Sequence, residues 1–229
     1  MFRVGNRMID ARIYPLALAK ILRHSGMYSG IEVAGVLIGR LTSGTVEISD
    51  SDTGPQIGTP GHVKLARSVV PLIAEKLHRQ GRSEYIVGWY HSHPGFGCFL
   101  SSIDVETQVG LQRMFPQCVA LVVDPYDFIV SGNPSDAEVK MFRVQEGSVV
   151  SLEYEIVLER DKVLGNLIDY LERSEEGYLV ALDKIRLEIS EWNNKLEEKI
   201  NTATEAIRNI QEDLRDISNT LKHDGSTKD

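Results

Sequence analysis

The apolar positions of this chain follow two regimes. Up to about residue 150, short β-branched and aromatic runs alternate with helical patterns, whereas beyond Ile156 apolar residues recur at steps of three and four. A short strand is expected at about residues 8–14, and residues 15–24 read as a helix with proline in its first turn, where a missing N–H is harmless. Residues 32–39 form a nearly all-apolar strand, and residues 45–52 alternate like its hairpin partner. The Gly/Pro-rich residues 53–61 predict a loop, followed by a helix over about 62–80. Residues 85–90 read as a buried strand. A helix over about 102–114 and strands over 118–123 and 138–144 complete this half, and residues 124–135 are expected to form a second loop. Strands and helices interleave around a mixed sheet, which predicts an α/β (α+β) domain.

In the second regime Leu179, Leu182, Ile185, Ile189, Trp192, Leu196, Ile200, Ala203, Ile207, Ile210, Leu214, Ile217 and Leu221 form one stripe, as in a coiled-coil or bundle seam. A single helix over 177–221 would be about 65 Å long, too long to bury that stripe on a domain of this size. The segment 156–173 could fold back over only part of it. The remainder predicts a partner, either a helical subunit or a second copy in a homodimer, with packing inside the chain as the alternative. Residues from Lys222 onward are expected to fray.

The charge changes at the same place. Residues 1–150 carry 14 acidic and 14 basic side chains, whereas 151–229 carry 19 and 11 and so hold the whole net charge of -8. Two domains are therefore expected, 1–150 and a helical extension over 151–229. With a pI near 5.3, no nucleic-acid partner is expected. No apolar run approaches the ~20 residues of a membrane span, and residues 1–7 lack a secretory pattern. Cys98 and Cys118 are too few for a disulfide framework, so a cytoplasmic protein is expected.

The chemistry concentrates between His91 and Asp104. On a strand, side chains alternate, so His91 and His93 point the same way while Ser92 points away. Pro94 ends the ladder, Gly95 and Gly97 let the chain turn, and Asp104 returns at the start of a helix marked by Val105, Val109 and Met114. Two imidazoles and a carboxylate, with a fourth position left to water, match a catalytic zinc centre. Ser101 and Asp104 also fit a helix-start capping pattern, a role compatible with the first. Cys98 raises the rival of a thiol nucleophile activated by one histidine, although paired histidines make better sense as ligands. Cys118 opens an apolar run and reads as a small buried hydrophobe. Phe96 and Phe99 are expected to anchor the turn to the core, with direct substrate contact as the alternative.

The segment from Gly88 to Gln108 resembles the JAMM motif of the MPN+ metalloprotease family: His-Ser/Thr-His, seven residues, then Ser-x-x-Asp. His91, Ser92, His93, Ser101 and Asp104 match it residue by residue, and Glu32 stands in the family's upstream Glu-Val-x-Gly-x-x-x-Gly context. The loop over 94–101 is similar to that of the proteasome-lid deubiquitinating members, with Phe99 in place of their tryptophan.

The resemblance implies an MPN fold, a curved sheet flanked by helices with Zn²⁺ at its rim. It implies His91, His93 and Asp104 as metal ligands, Glu32 as general base and Ser101 as hydrogen-bond donor to the oxyanion. The implied substrate is an isopeptide bond between the Gly-Gly terminus of ubiquitin, or a ubiquitin-like modifier, and a lysine, in connection with proteasomal degradation. The loops 53–61 and 124–135 would line the groove for the modifier's tail. A non-catalytic MPN scaffold subunit, or a processing protease for a small sulfur-carrier protein, are the alternatives the family offers.

Overall fold

Residues 85–92 become an inner strand of an eight-stranded sheet in this computed structural model, which describes residues 9–224. In chain order the strands are β1 (Ala11–Ile13), β2 (Ala34–Thr42), β3 (Thr45–Asp52), β4 (Gln56–Thr59), β5 (His62–Leu65), β6 (Tyr85–Ser92), β7 (Val119–Asp124), β8 (Glu138–Gln145), β9 (Ser148–Ser151) and β10 (Tyr154–Ile156). The helices are α1 (Pro15–Met27), α2 (Val69–Arg79), α3 (Ser102–Gln112), α4 (Tyr126–Ser131) and α5 (Arg160–Asp224). The sheet runs β10-β1-β3-β2-β6-β7-β8-β9, and β4 and β5 form a separate hairpin. β1 is parallel to β3 and β10, β6 is parallel to β7, and the other neighbours are antiparallel. The mixed sheet expected from the alternating pattern is the one observed.

Helices cover both faces. On one, Ala17, Ile21 and Leu22 of α1 pack against Ile13, Leu37, Ile48, Tyr90, Leu121 and Met141. On the other, Val69, Ile73 and Leu77, a single stripe of α2, meet Val36 and Ile38. Beside them Trp89, Ala120, Val122 and Phe142 pack with Leu111, next to α3. Each fully buried aliphatic side chain here contributes roughly 1.5–3 kcal/mol.

Three expectations need correction. Residues 56–65 are a β-hairpin, so the following helix begins only at Val69. The apolar content of 62–65 belongs to strand alternation, and the helical stripe starts with Val69. The second expected loop is ordered into α4 and a 3-10 turn at Pro134–Asp136. Gly132, with φ 74, closes α4 in the left-handed conformation that suits glycine. The sheet continues past residue 150, because β10 pairs with β1. β10 ends at Ile156, and from Arg160 the chain is one 65-residue helix.

The expected first strand covers Ala11–Ile13, and its residue Met8 lies outside the described residues. Of the expected frayed end, 222–224 are helical and 225–229 lie outside the described residues.

The chain divides into two compact units between Leu171 and Glu172. In the first, the start of α5 is tied down. Asn166 Nδ2 donates to Ser49 O at 3.0 Å, and the Lys20 ammonium lies 5.3 Å from the centre of the Tyr170 ring. In the second, Ile189, Trp192, Leu196, Ile200, Ala203, Ile207 and Ile210 are exposed along the helix. No helix among the described residues is long and apolar enough to cross a membrane.

Candidate metal centre

The placement of the histidines begins with an irregularity in β6. Leu37 pairs with Gly88 but Ile38 pairs with Ile86, which leaves Val87 as the extra residue of a β-bulge. The bulge resets the alternation. Val87 and Tyr90 enter the α1 side of the sheet, whereas Trp89 faces the α3 side, and His91 stacks beside it. Gly88 permits the close passage of β7, since a Cβ there would lie 2.2 Å from Val119 O. β6 ends at Ser92, and His93 still donates its N–H to Val123 O at 2.9 Å.

His91 Nε2 lies 3.0 Å from His93 Nε2 and 3.4 Å from Asp104 Oδ2, and His93 Nε2 lies 3.8 Å from Asp104 Oδ2. A tetrahedral ion with arms of about 2.0 Å needs ligand atoms about 3.3 Å apart. The three separations bracket that value. Two buried ring nitrogens facing one another across 3.0 Å leave a lone pair without a donor unless a proton or a cation lies between them. Two imidazoles and a carboxylate are an N/O donor set suited to zinc. The structure therefore brings together His91, His93 and Asp104 as a group compatible with a metal ion.

Asp104 arrives at this point through the start of α3. Ser101 is the N-cap: its Oγ accepts from Asp104 N, while Asp104 Oδ2 accepts from Ser101 N at 2.8 Å and from Ser101 Oγ at 2.6 Å. This reciprocal capping box fixes the first turn of the helix. The Ser101 hydroxyl proton is thus directed at Asp104 in this arrangement. Burial by itself raises the Asp104 pKa. Hydrogen bonding and charge interaction with His91, aided by Ser101, outweigh it and hold the carboxyl at about 2.

Glu32 reaches the same place from the residues preceding β2. Its N–H donates to Thr59 O at 2.8 Å, and Val33 beside it pairs with Ser92. Glu32 Oε1 lies 3.8 Å from His93 Nε2. Burial, reinforced by the negative charge of Asp104, pushes its pKa up to about 7. One carboxyl is held as the anion and the other is poised to exchange a proton near neutrality, a division of labour typical of hydrolytic sites. The His93 pKa is lowered by burial first and by His91 second, which favours the neutral ring that a metal requires.

Residues outside the motif set this geometry. Asp124, at the end of β7, accepts from Gly95 N at 2.8 Å through Oδ1 and from Gly97 N at 2.7 Å through Oδ2. Gly95 and Gly97 have φ of 79 and 76, so the loop between the histidines and α3 is folded by two left-handed residues around one carboxylate. Gly97 O in turn meets His93 Nδ1 at 3.2 Å. Since a carbonyl only accepts, Nδ1 carries the proton and Nε2 is left free for a cation. Asp124 was signalled only by its place before Pro125, a turn pattern.

Cys98 does not fit a nucleophile. Its single S–H is shared between Val122 O and Glu138 O, each 3.3 Å from Sγ, and burial, with Glu138 adding, pushes the thiol up to about 12. Cys118 is buried in the cluster with Trp89, as a small hydrophobe would be. The aromatic pair departs from the expected anchors: Phe96 is 61% and Phe99 48% exposed. The Phe99 ring centre lies 4.6 Å from that of His93, which makes it one wall of the site.

Residues 8–117 match the family model described as JAB1/Mov34/MPN/PAD-1 ubiquitin protease. Over 115 residues, 49% of this chain and 37% of the relative, the sequence is 44% identical to the 26S proteasome regulatory subunit rpn11 of Schizosaccharomyces pombe. Over 134 residues, 53% of this chain and 44% of the relative, it is 42% identical to the 26S proteasome non-ATPase regulatory subunit 14 of Dictyostelium discoideum. Over 115 residues, 49% of this chain and 38% of the relative, it is 41% identical to the ubiquitin carboxyl-terminal hydrolase RPN11 of Saccharomyces cerevisiae. The chain spans less than half the length of these relatives.

Proposed function

Because this chain belongs to the JAB/MPN family through its residues 8–117, we propose that it is a zinc isopeptidase. Its substrate would be the bond between the Gly-Gly terminus of ubiquitin, or a ubiquitin-like modifier, and a lysine amine. The observation that carries the reading is the convergence of His91, His93 and Asp104 on one point with Glu32 beside them. A zinc ion held by the three ligands would supply Lewis acidity, lowering the pKa of water toward neutrality and polarising the scissile carbonyl.

The protein's own groups then divide the proton work. Glu32, buried beside His93, accepts a proton from the attacking water and returns it to the departing lysine amine. Ser101 donates its hydroxyl to the developing oxyanion, releasing its bond to Asp104 Oδ2. The Ser101 backbone N–H, 2.8 Å from the same oxygen, keeps Asp104 oriented while this happens. His93, with its proton on Nδ1 toward Gly97 O, stays neutral throughout. No residue becomes acylated.

The relatives support the setting, two being named as 26S proteasome subunits and one as a ubiquitin carboxyl-terminal hydrolase. We read the substrates as cytoplasmic conjugates bound for proteasomal degradation. The exposed apolar residues of α5 are read as a seam for a helical partner.

The test is cleavage of a ubiquitin-like protein joined through Gly-Gly to a lysine, with metal content measured on the same preparation. One zinc per chain is expected, with turnover abolished by chelation and by Glu32→Gln while Glu32→Gln keeps its zinc. Turnover retained in Glu32→Gln would remove Glu32 as the base. A folded, metal-supplied protein without zinc would return the chain to a scaffold role.

A further inference from the structure

The two histidines of the centre are oriented by different means. His93 has the usual second contact of a ligating imidazole, from Nδ1 to the Gly97 carbonyl. His91 does not: its Nδ1 is buried and, among the described residues, has no hydrogen-bond partner. Instead, the imidazole lies flat on the indole of Trp89, with ring centres 4.6 Å apart and planes 11° from parallel. His91 is wholly buried, and its other ring contact among the described residues is an edge-on one with His93, with centres 4.7 Å apart and planes at 69°.

Trp89 is itself held. Its Nε1 donates to Gln108 Oε1 at 2.9 Å, and Gln108 Nε2 donates to Cys118 O at 2.8 Å and to Gln112 Oε1 at 2.9 Å. These partners also settle which end of the amide is which, since an indole N–H only donates and a carbonyl only accepts. Gln112 continues to the backbone of Val144, accepting from its N–H and donating to its carbonyl, both at 2.8 Å. Gln108 is fully buried, and a buried amide with its groups paired is costly to disturb. Gln108 lies four residues after Asp104, one helical turn along the same face of α3. One face of one helix thus delivers a ligand to the centre and, a turn later, clamps the indole under another ligand.

We propose that Trp89 is the positioning residue for His91, fixing the imidazole plane by stacking where a hydrogen bond from Nδ1 would ordinarily do so, and that Gln108 locks the indole in place. The proposal rests on the reading of His91 as a metal ligand. It predicts that the aromatic face matters more than the volume of the side chain.

The experiment is metal affinity by chelator competition, with the absorption spectrum of the Co²⁺ form, on wild type, Trp89→Phe, Trp89→Leu and Gln108→Met. Trp89→Phe keeps a flat ring and is expected to stay within about threefold of wild type. Trp89→Leu keeps apolar bulk without the face and is expected to lose about tenfold or more, with an altered Co²⁺ spectrum. Gln108→Met should fall between them. Equal affinity and identical spectra across the folded variants would reduce Trp89 to core packing and overturn the proposal. Wild type that binds no metal would overturn the ligand reading, and this proposal with it. Should the leucine variant fail to fold, the wild type still decides. The His91 ring protons are expected to show upfield ring-current shifts that persist when zinc is added, and their absence in the zinc-loaded protein would overturn the stack.

Discussion

Val33 and Ser92 hydrogen-bond to each other twice. Ser92 N donates to Val33 O at 2.9 Å, and Val33 N donates to Ser92 Oγ at 3.0 Å. Ser92 sits between the two histidines and Val33 follows Glu32, so this pair sets the separation between the carboxyl and the imidazoles. Ser92→Ala removes the acceptor and strands a buried N–H, which costs about 1–3 kcal/mol. Thermal denaturation should show that loss, with Ser92→Thr recovering most of it. The proposed isopeptide cleavage should fall further than metal affinity, because Glu32 moves while His91, His93 and Asp104 stay. Equal losses in both would mean that the pair supports the sheet and not the placement of Glu32.

Glu32 should leave a signature in the metal-free protein. Burial and the charge of Asp104 raise its pKa from 4.5 to about 7. A raised carboxyl favours the protonated native state, so its contribution to stability is complete below about 4.5 and is lost as pH rises through about 7. In chelator-treated protein, Glu32→Gln is therefore expected to gain stability over wild type across that window. The difference should level off above it at no more than about 3 kcal/mol. The His93 pKa is lowered, the opposite sense, and because His93 Nε2 lies 3.8 Å from Glu32 Oε1 its titration is followed by NMR in both proteins so that any change in it is separated from the loss of Glu32. A difference that does not change with pH would show a solvated carboxylate.

Asp124 is expected to matter without touching substrate. Its carboxylate folds the loop through Gly95 N and Gly97 N, and the Gly97 carbonyl orients His93. Asp124→Ala frees both N–H groups and lets the carbonyl drift, so metal affinity should fall about tenfold, as for other residues behind a ligand. Asp124→Asn offers a single acceptor oxygen and should be intermediate. Titration with zinc against a chromophoric chelator reads the difference, and unchanged affinity in both variants would detach the loop from His93.

How much of this was legible in the sequence depended on the range of the interaction. The β6 run, the capping pattern of Ser101 and Asp104, and the convergence of His91 and His93 are local, governed by alternation and a single turn, and they were readable. The bulge at Val87 was not, because an extra residue appears only once β2 is laid alongside. Asp124 was hidden for the same reason: its partners lie 29 and 27 residues away. Residues 62–65 misled because a four-residue alternating strand and a first helical turn look alike until Val69, Ile73 and Leu77 reveal where the helical stripe begins. The exposure of Phe96 and Phe99 was hidden as well, because apolar character alone does not say which aromatic residues a turn leaves on the surface.

The last prediction concerns where the chain can be cut. Its charge changes near residue 150, but the first compact unit extends to Leu171. Between those points lie Leu152 and Val157, both buried, and β10, whose three residues pair with Ala11–Ile13. Val157 N also donates to Ile13 O at 2.9 Å, and Asn166 reaches Ser49. A chain ending at Val150 loses two core side chains at roughly 1.5–3 kcal/mol each and exposes the edge of β1, enough to consume much of a typical 5–15 kcal/mol stability. It should not unfold cooperatively. A chain ending at Leu171 keeps all of these contacts and should retain both a sharp thermal transition and the same metal affinity as the longer chain, the proposed zinc ion included. If the two truncations behave alike, the strand and the first turns of α5 are dispensable, and the domain boundary belongs where the charge changes.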